Sequence, residues 1–352
     1  MELRKRHFYY GFWLLVVVAN TTLGIYYMTR QQERSAVAAA TSTPVQVTAT
    51  PTSVQAAAEI SVHNNSTKSS TAEWTPKIYE EPDNITMAAI ERNIIQDTYS
   101  EGRVLLTAVV NSGMLDYTLN WIESLKKTNH DKFLVFAIDD SLAHALITRG
   151  YEDHVVRIPP SWFHVALASD FVKWKSDAYR PITHAKSLVV ERLLYLDITV
   201  WFSDVDIVLT SPYVSGVMLQ KMASRPNTHM AFTQEVDHQS INSGFYVMRP
   251  TDVSKQLMQA VIHRQDRTVS ETQQKIMNRA IHSLFPADYQ QRPVLLLDML
   301  LFPNGKLYFD RKLPTRLGFK PLMIHANYRV GDEKKMTLKK AGLWYLDSEE
   351  KA

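Results

Sequence analysis

The chain has 352 residues, 45% of them hydrophobic and 21% charged, so the sequence can supply a large hydrophobic core. The formal net charge is only +3, and Lys and Arg form no dense block between aromatic residues, which argues against nucleic acid as a partner. Cysteine is absent, which excludes a disulfide, a thiol nucleophile and a cysteine-ligated metal.

The N-terminal segment at residues 8–28 contains no Asp, Glu, Lys or Arg and is long enough to cross a bilayer as one helix. A basic run at residues 4–6 precedes it, so we predict that residues 1–7 form a cytoplasmic tail. A cleaved signal peptide is the alternative, but the length of the segment favours an uncleaved anchor. The expected topology is single-pass type II.

The composition changes after this segment to Ala, Thr, Ser, Val and Gln, with no helical or strand periodicity. We therefore predict a flexible stem over residues 29–98. Globular patterning begins near Glu101, and the folded domain is predicted to occupy residues 99–352.

Short apolar runs, typical of buried strands, alternate in this domain with segments of helical periodicity. The strands are predicted at residues 104–110, 133–138, 155–158 and 199–202, and one helix at residues 183–196. This alternation predicts an α/β layered sheet, which binds ligands beyond the carboxyl ends of its strands. Glycine-rich dinucleotide and nucleoside-triphosphate loops are missing from the sequence, so another device must hold any phosphate.

Asp204 and Asp206 directly follow the strand predicted at residues 199–202. Two residues apart on an extended backbone, their side chains point to the same side. Carboxylate oxygens suit Mg²⁺ or Mn²⁺, and such ions complete their shell with substrate phosphate. Most Asp-x-Asp sequences are solvated turns, but carboxylates beside a buried strand are costly without a partner, so we predict a divalent cation here.

A second polar cluster begins at His325, after the apolar run at residues 322–324. A neutral imidazole there is a candidate third ligand for the same cation. Gly331 allows close backbone approach, and Lys335 can neutralise a departing diphosphate. Taken alone, the histidine is more often structural and the lysine more often solvated; their compatible chemistry is what supports the site.

The order of these motifs resembles the nucleotide-diphospho-sugar transferases of glycosyltransferase family 77. The similarity covers residues 104–346 and rests on Asn111-Ser112-Gly113, Lys186, the segments at 202–206 and 242–246, and the segment from His325 to Lys335. It implies a glycosyltransferase-A-type layered mixed sheet flanked by helices. It also implies a Golgi membrane location, with residues 99–352 as a lumenal catalytic domain.

The resemblance further implies transfer of a sugar such as galactose, xylose or arabinose, with retention of configuration. The donor would be a nucleotide-diphosphate sugar, and the acceptor a glycan or glycoprotein. Asp204, Asp206 and His325 would hold Mn²⁺ (or Mg²⁺) against the donor diphosphate. Lys335 would contact the leaving diphosphate.

Further residues are matched to the transferred sugar and to the nucleotide. The family segment beside the sugar corresponds here to Asn242 and Gly244. Donor-binding positions are expected at Asn111, Gly113, Asp139, Lys186, Asp204 and Gly331. For the pair at the end of the second strand, helix capping by Asp140 is an equal alternative to nucleotide binding by Asp139.

One departure from the family leaves the sugar contacts open, because Gln273 stands where the family often has Asp. A catalytically silent glycan-binding or assembly partner with the same fold is therefore the alternative function. Glu235 and Asp237 also lie close enough in sequence to Asn242 to face the sugar. A metal-dependent phosphohydrolase would need more carboxylates around the ion than the sequence offers.

Overall fold

The computed structural model describes residues 81–100, 102–163, 179–225, 227–237, 239–268, 271–287 and 292–346. The predicted tail, anchor and most of the stem lie outside these residues. Within the described ranges, no helix combines the length and the apolar composition needed to cross a membrane.

The strands of the described part are β1 (Ile95–Gln96), β2 (Arg103–Val110), β3 (Leu134–Ala137), β4 (Val155–Arg157), β5 (Thr199–Ser203), β6 (Ile207–Leu209), β7 (Met230–Gln234), β8 (Ile241–Met248), β9 (Val294–Leu296) and β10 (Met323–His325). The α-helices are α1 (Asn84–Arg92), α2 (Leu115–Lys127), α3 (Asp140–Ile147), α4 (Tyr179–Tyr195), α5 (Val214–Ala223), α6 (Asp252–Arg267), α7 (Gln273–Leu284), α8 (Leu313–Arg316) and α9 (Gly331–Lys340).

The main sheet is mixed and, in the described residues, has the strand order β4-β3-β2-β5-β8-β7-β9, with β1 paired to β2. Strands β2 to β5 run parallel, and β8 runs antiparallel to both β5 and β7. The four predicted strands correspond to β2, β3, β4 and β5. The prediction of a layered α/β sheet is confirmed, and the parallel strands end at one common edge.

Both faces of this sheet are buried, as the continuous apolar run of β2 indicates. Val104 and Leu106 of β2 pack in one hydrophobic cluster with α2, whereas Leu105 and Val109 pack in another with α4. Successive side chains of a strand point to opposite faces, so an apolar run of this kind requires cover on both sides. Helices supply that cover.

The folded part begins before residue 99, so the predicted stem boundary is too late. Helix α1 buries Ala89 and Ile90 against the core, and Asp83 caps it by accepting a hydrogen bond from the Thr86 N–H at 2.8 Å. Strand β1 then pairs with β2. The sequence did not predict α1, because the apolar stripe of this helix is short and the residues on either side of the helix are polar.

A small second sheet pairs β6 with β10 in antiparallel register, placing His325 opposite Ile207. The loop at residues 301–305 packs beside it: the Gly305 N–H donates to Oδ1 of Asn327 at 2.7 Å. A Cβ on Gly305 would overlap the carbonyl oxygen of Asn327. This glycine therefore lets two loops meet directly behind His325.

We expect Gly305→Ala to lower the free energy of unfolding by about 1–3 kcal/mol, because the added methyl forces the Asn327 backbone to move. Gly216→Ala is the matched control: a Cβ there meets nothing within 4 Å. Since Gly216 lies in α5, alanine should raise stability there by about 0.5–1 kcal/mol. Urea unfolding followed by tryptophan fluorescence measures both. Equal effects of the two substitutions would contradict the close approach at Gly305.

Candidate active site

Asp204 and Asp206 lie just beyond the carboxyl end of β5, where the sequence places them. The Asp204 N–H donates to the carbonyl oxygen of Gly244 at 2.6 Å, which continues the pairing of β5 with β8. The carbonyl oxygen of Asp206 accepts a hydrogen bond from the Ala326 N–H at 2.9 Å, beside the β6–β10 pairing. Backbone pairing on both sides thus fixes the positions of the two carboxylates.

His325, the last residue of β10, faces this carboxylate pair. Its Nε2 lies 3.2 Å from Oδ1 of Asp206. One potential ligand atom from each of Asp204, Asp206 and His325 lies within 4.8 Å of the other two. The structure therefore brings together the three residues predicted as ligands. Two carboxylates and an imidazole suit a divalent cation such as Mn²⁺, so these three residues fit the cation predicted from the sequence.

Each carboxylate also has a lysine partner on one of its oxygens. Nζ of Lys186 lies 2.5 Å from Oδ1 of Asp204, and Nζ of Lys334 lies 2.5 Å from Oδ2 of Asp206. The second oxygen of Asp206, Oδ1, is the one facing His325. Each aspartate can therefore offer one oxygen to a cation while its other oxygen holds an ammonium group at the site.

The charges at Asp206 stabilise one another despite burial. Burial by itself raises the pKa of Asp206, but Lys334 and His325 outweigh it and hold this pKa well below its usual range. Burial likewise lowers the pKa of Lys334, but the Asp206 carboxylate outweighs it and raises this pKa. Asp206 is thus kept in the ionised form that binds a metal, and Lys334 in the cationic form that binds phosphate.

Gly244 leaves open the space between the ligands. A Cβ at this position would lie 2.6 Å from Oδ2 of Asp204 and 2.6 Å from Cε1 of His325. Real Cβ atoms do not approach other atoms so closely, and both neighbours belong to the candidate cation site. A side chain here would therefore displace the ligands, which explains glycine at this position.

Lys334, rather than the predicted Lys335, is the lysine placed at the carboxylate pair. Gly331 begins α9, and Lys334 follows three residues later on the same helix face. Lys335 is turned by about 100° from it, with Nζ 2.8 Å from Oδ2 of Asp116 and 4.8 Å from the ring centroid of Trp344. Lys334 and Lys335 lie three and four residues after Gly331, and both spacings fall on that residue's helix face, so no signal in the sequence separates the two lysines.

The residues predicted to bind nucleotide at the end of β2 lie at the expected edge of the sheet. Asn111 directly follows β2, and Gly113 lies in a short helical turn, Ser112–Met114. The Ser112 N–H donates to Oδ2 of Asp139 at 2.7 Å, so the loops after β2 and β3 are joined. Nucleotide contacts by these residues stay a prediction.

Asp139, not Asp140, is the residue that caps α3. Its Oδ1 accepts a hydrogen bond from the Leu142 N–H at 2.8 Å. Asp140 forms an exposed ion pair instead, with Nε of Arg157 2.7 Å from its Oδ1. The expected capping role therefore moves by one residue, because Asp139 still has the extended backbone that a cap requires.

A second polar cluster centres on Glu235, just after β7. Its Oε1 accepts hydrogen bonds from Nδ2 of Asn242 at 2.7 Å and from Nε2 of Gln274 at 3.0 Å. Its Oε2 accepts from the hydroxyl of Tyr328. Oδ1 of Asn242 in turn accepts from the Gly244 N–H at 2.9 Å. We call Glu235, Asn242, Gln274 and Tyr328 the Glu235 cluster; it adjoins the cation site through Gly244.

The sequence indicated Glu235 only as an open candidate, showed Gln274 only as the neighbour of the exchanged Gln273, and gave Tyr328 no role of its own. The exchanged residue Gln273 is buried, and its Nε2 donates to Oγ of Ser187 at 3.2 Å on α4. The adjacent Gln274 is the one that reaches the cluster. No local signal in the sequence separates the two residues, because both stand in the first turn of α7 and neighbouring helical residues point in different directions.

We expect Gly244→Ala to abolish stabilisation by Mn²⁺, because the added Cβ occupies the space between Asp204 and His325. A ligand at 100 times its dissociation constant stabilises the folded state by about 2.7 kcal/mol, which raises the melting temperature. Calorimetry with Mn²⁺ and with chelator measures this shift. Gly216→Ala should keep it, and an equal shift in Gly244→Ala would contradict a cation site at these residues.

Comparison with curated proteins finds a relative in Dictyostelium discoideum, UDP-galactose:fucoside alpha-3-galactosyltransferase. It is 24% identical over an alignment of 285 positions, which covers 70% of this chain and 43% of the relative. The chain thus spans less than half the length of the curated relative it matches.

Among solved structures, the galactosyltransferase LgtC in complex with donor and acceptor sugar analogs is 12% identical, with a TM-score of 0.42, and the match covers 67% of this chain and 95% of LgtC. Mouse xyloside xylosyltransferase 1 is 9% identical, with a TM-score of 0.39 and coverage of 65% and 99%.

A family model described as nucleotide-diphospho-sugar transferase matches residues 128–338, more than half of the chain. The match includes both aspartates, His325 and Lys334, the residues that the structure gathers at one end of the sheet. The chain belongs to the nucleotide-diphospho-sugar transferase family.

Proposed function

We propose that this chain transfers galactose from UDP-galactose to a hydroxyl of a glycan acceptor, with a divalent cation and with retention of configuration. The observation that carries the proposal is the convergence of Asp204, Asp206 and His325 on one point, with Lys334 on Asp206. Family membership supports nucleotide-sugar transfer, and the name of the Dictyostelium discoideum relative supports galactose and a fucoside acceptor. Similarity to family 77 supports retention and a glycosyltransferase-A-type fold.

Asp204, Asp206 and His325 would hold the cation, for which Mn²⁺ is our choice. When bound, it would supply positive charge to the donor diphosphate. Lys334 adds a second positive charge that is already in place. It stabilises negative charge on the diphosphate as the bond to the anomeric carbon breaks, which is the largest electrostatic demand of the reaction.

Lys186 contributes in the same way from the other aspartate, since its ammonium group lies on Oδ1 of Asp204. Asn242 and Gly244 border the space beside the ligands, where the transferred sugar would lie. In a retaining transfer the acceptor hydroxyl attacks from the side of the leaving group, and its proton passes to a diphosphate oxygen.

A covalent sugar–carboxylate intermediate would need a free carboxylate beside the sugar. Glu235 is the carboxylate closest in structure to Asn242, but its oxygens already accept three hydrogen bonds. Such bonds withdraw electron density from the carboxylate and fix its orientation. Direct attack by the acceptor is therefore the mechanism that we favour.

The silent glycan-binding partner has less support than the enzyme. The support for such a partner was the exchange of Asp for Gln273. The Gln273 side chain, however, donates a hydrogen bond to Ser187 between two packed helices. The three candidate cation ligands lie together, and a lysine pairs with each aspartate. A non-catalytic protein has no need of two partly buried lysine–aspartate pairs beside one candidate cation site.

The test is sugar transfer by the purified full chain, with a panel of uridine and guanosine diphosphate sugars and with methyl fucoside as the first acceptor. We expect UDP release and transfer in Mn²⁺ and a loss of both in chelator. Asp206→Asn should remove activity, because it takes away a cation ligand. Equal turnover in chelator would contradict the metal role, and transfer of another sugar alone would contradict galactose.

The matched variants for this experiment are Lys334→Ala and Lys335→Ala. We expect the first to lower kcat about 100-fold, the usual loss for one charge-stabilising group. The second should have a much smaller effect, because Lys335 pairs with Asp116 on the surface. A larger loss in Lys335→Ala would return the diphosphate contact to that residue, as the family resemblance implies.

We also propose that residues 8–28 anchor the chain in the Golgi membrane with the catalytic domain in the lumen. The charge-free apolar segment and the basic residues before it support this topology. Protease treatment of intact microsomes tests it: a C-terminal tag should be protected. Digestion of the tag without detergent would contradict the proposal.

A further inference from the structure

The Glu235 cluster holds one carboxylate oxygen inward and presents the other outward. Oε1 of Glu235 accepts hydrogen bonds from Asn242 on β8 and Gln274 on α7, which fix it against the sheet. Oδ1 of Asn242 also accepts a hydrogen bond from the Gly244 N–H, and Gly244 borders the candidate cation site. Both donors to the inward oxygen therefore come from the sheet and from helix α7.

The outward oxygen, Oε2, accepts a hydrogen bond from the hydroxyl of Tyr328, in the loop after β10. Tyr328 is half exposed, so this contact lies at the rim of the site. Burial and the Glu235 carboxylate raise the pKa of Tyr328, so its hydroxyl stays protonated. The pair therefore consists of a permanent donor and a charged acceptor at the entrance.

The backbone at Tyr328 adopts an uncommon conformation. Its φ is +63°, in the left-handed region that residues with a Cβ rarely adopt. Asn and Gly are the residues that suit such a position, and a bulky aromatic residue there is an outlier. Strained positions of this kind concentrate at functional sites. Tyr328 adopts this backbone conformation while its hydroxyl donates to Glu235.

We propose that Glu235 and Tyr328 form a subsite for a hydroxyl group of the acceptor sugar. A sugar hydroxyl both donates and accepts, so it can enter between the two groups, accepting from the Tyr328 hydroxyl and donating to Oε2 of Glu235. The subsite rests on the proposed transfer function and names two of its acceptor-binding residues. A charged acceptor makes the bond to the hydroxyl strong and selective for a polar ligand.

The donor sugar is the other source of such a hydroxyl, and the geometry favours the acceptor. The space for the donor borders Gly244 and the inward side of Asn242. Oε2 of Glu235 instead accepts a hydrogen bond from Tyr328, which is half exposed. Since Tyr328 lies three residues after His325, it also links the acceptor position to the cation site.

The experiment uses full-length Tyr328→Phe and Glu235→Gln with UDP-galactose and methyl fucoside, or with the pair that the donor panel identifies. Two rates are measured: transfer to the acceptor and release of UDP without acceptor. We expect the ratio of transfer to UDP release to fall at least about tenfold in Tyr328→Phe, the effect of one hydrogen bond involving a charged group. The acceptor KM should rise more than the donor KM.

Tyr213→Phe is the matched control, because Tyr213 is 72% exposed and lies just before α5; it should leave the ratio unchanged. Tyr328→Asn tests whether an altered loop conformation causes the effect. Asparagine suits the left-handed backbone but lacks the phenol hydroxyl. It should show the same fall in the ratio.

A parallel loss of transfer and UDP release, or a rise in donor KM alone, would overturn the acceptor subsite and assign the pair to the donor or to loop structure. An unchanged ratio in all three variants would overturn it as well. Absence of UDP release in the wild-type chain is a different result: it contradicts the proposed function, and the subsite falls with it.

Discussion

The antiparallel pairing of β6 with β10 is the contact on which the site depends. It joins two segments far apart in the sequence and places His325 next to Asp206. The helix that follows β10 then brings Lys334 to the same carboxylate, 128 positions away along the chain. A buried carboxylate is costly unless it is paired, so this pairing also explains how Asp206 can be buried at all.

Glycines at two positions make the close packing around this pairing possible. Gly244 leaves room between Asp204 and His325, and Gly305 lets its loop lie directly against the backbone of Asn327. Neither glycine has a positive φ, so steric access, and not backbone conformation, is their role. The same loop of residues 325–331 carries the histidine at its start, Tyr328 near its middle and the first residue of α9 at its end. A displacement of this loop would therefore affect all three functions together.

The polar groups divide into a charged half and a neutral-donor half, joined at Gly244. On one side, two lysines and two aspartates balance their charges around a space suited to a divalent cation. On the other side, one carboxylate is surrounded by amide and phenol donors. The first arrangement suits diphosphate, which demands positive charge, and the second suits sugar hydroxyls, which demand directional hydrogen bonds. Nucleotide-sugar chemistry requires both kinds of recognition side by side.

The sequence by itself determined the elements that local patterns encode. The apolar runs of β2 to β5 predicted a layered α/β sheet, and the Asp204–Asp206 spacing predicted paired carboxylates at a strand end, because side-chain alternation and hydrophobic burial are local properties. Residues with no local signal were missed or misplaced: α1 in the predicted stem, Lys334 one position from Lys335, and Gln274 beside Gln273.

Only the tertiary structure decided which of these residues meet. The direction of a side chain on α9 or α7 depends on how the helix packs, and a shift of one residue turns it by about 100°. The Glu235 cluster draws on β7, β8, α7 and the loop after β10, and no spacing in the sequence relates these segments. Contacts between distant segments arise from the packing of the whole chain, which is why the cation ligands could be foreseen from their chemistry and the Tyr328–Glu235 pair could not.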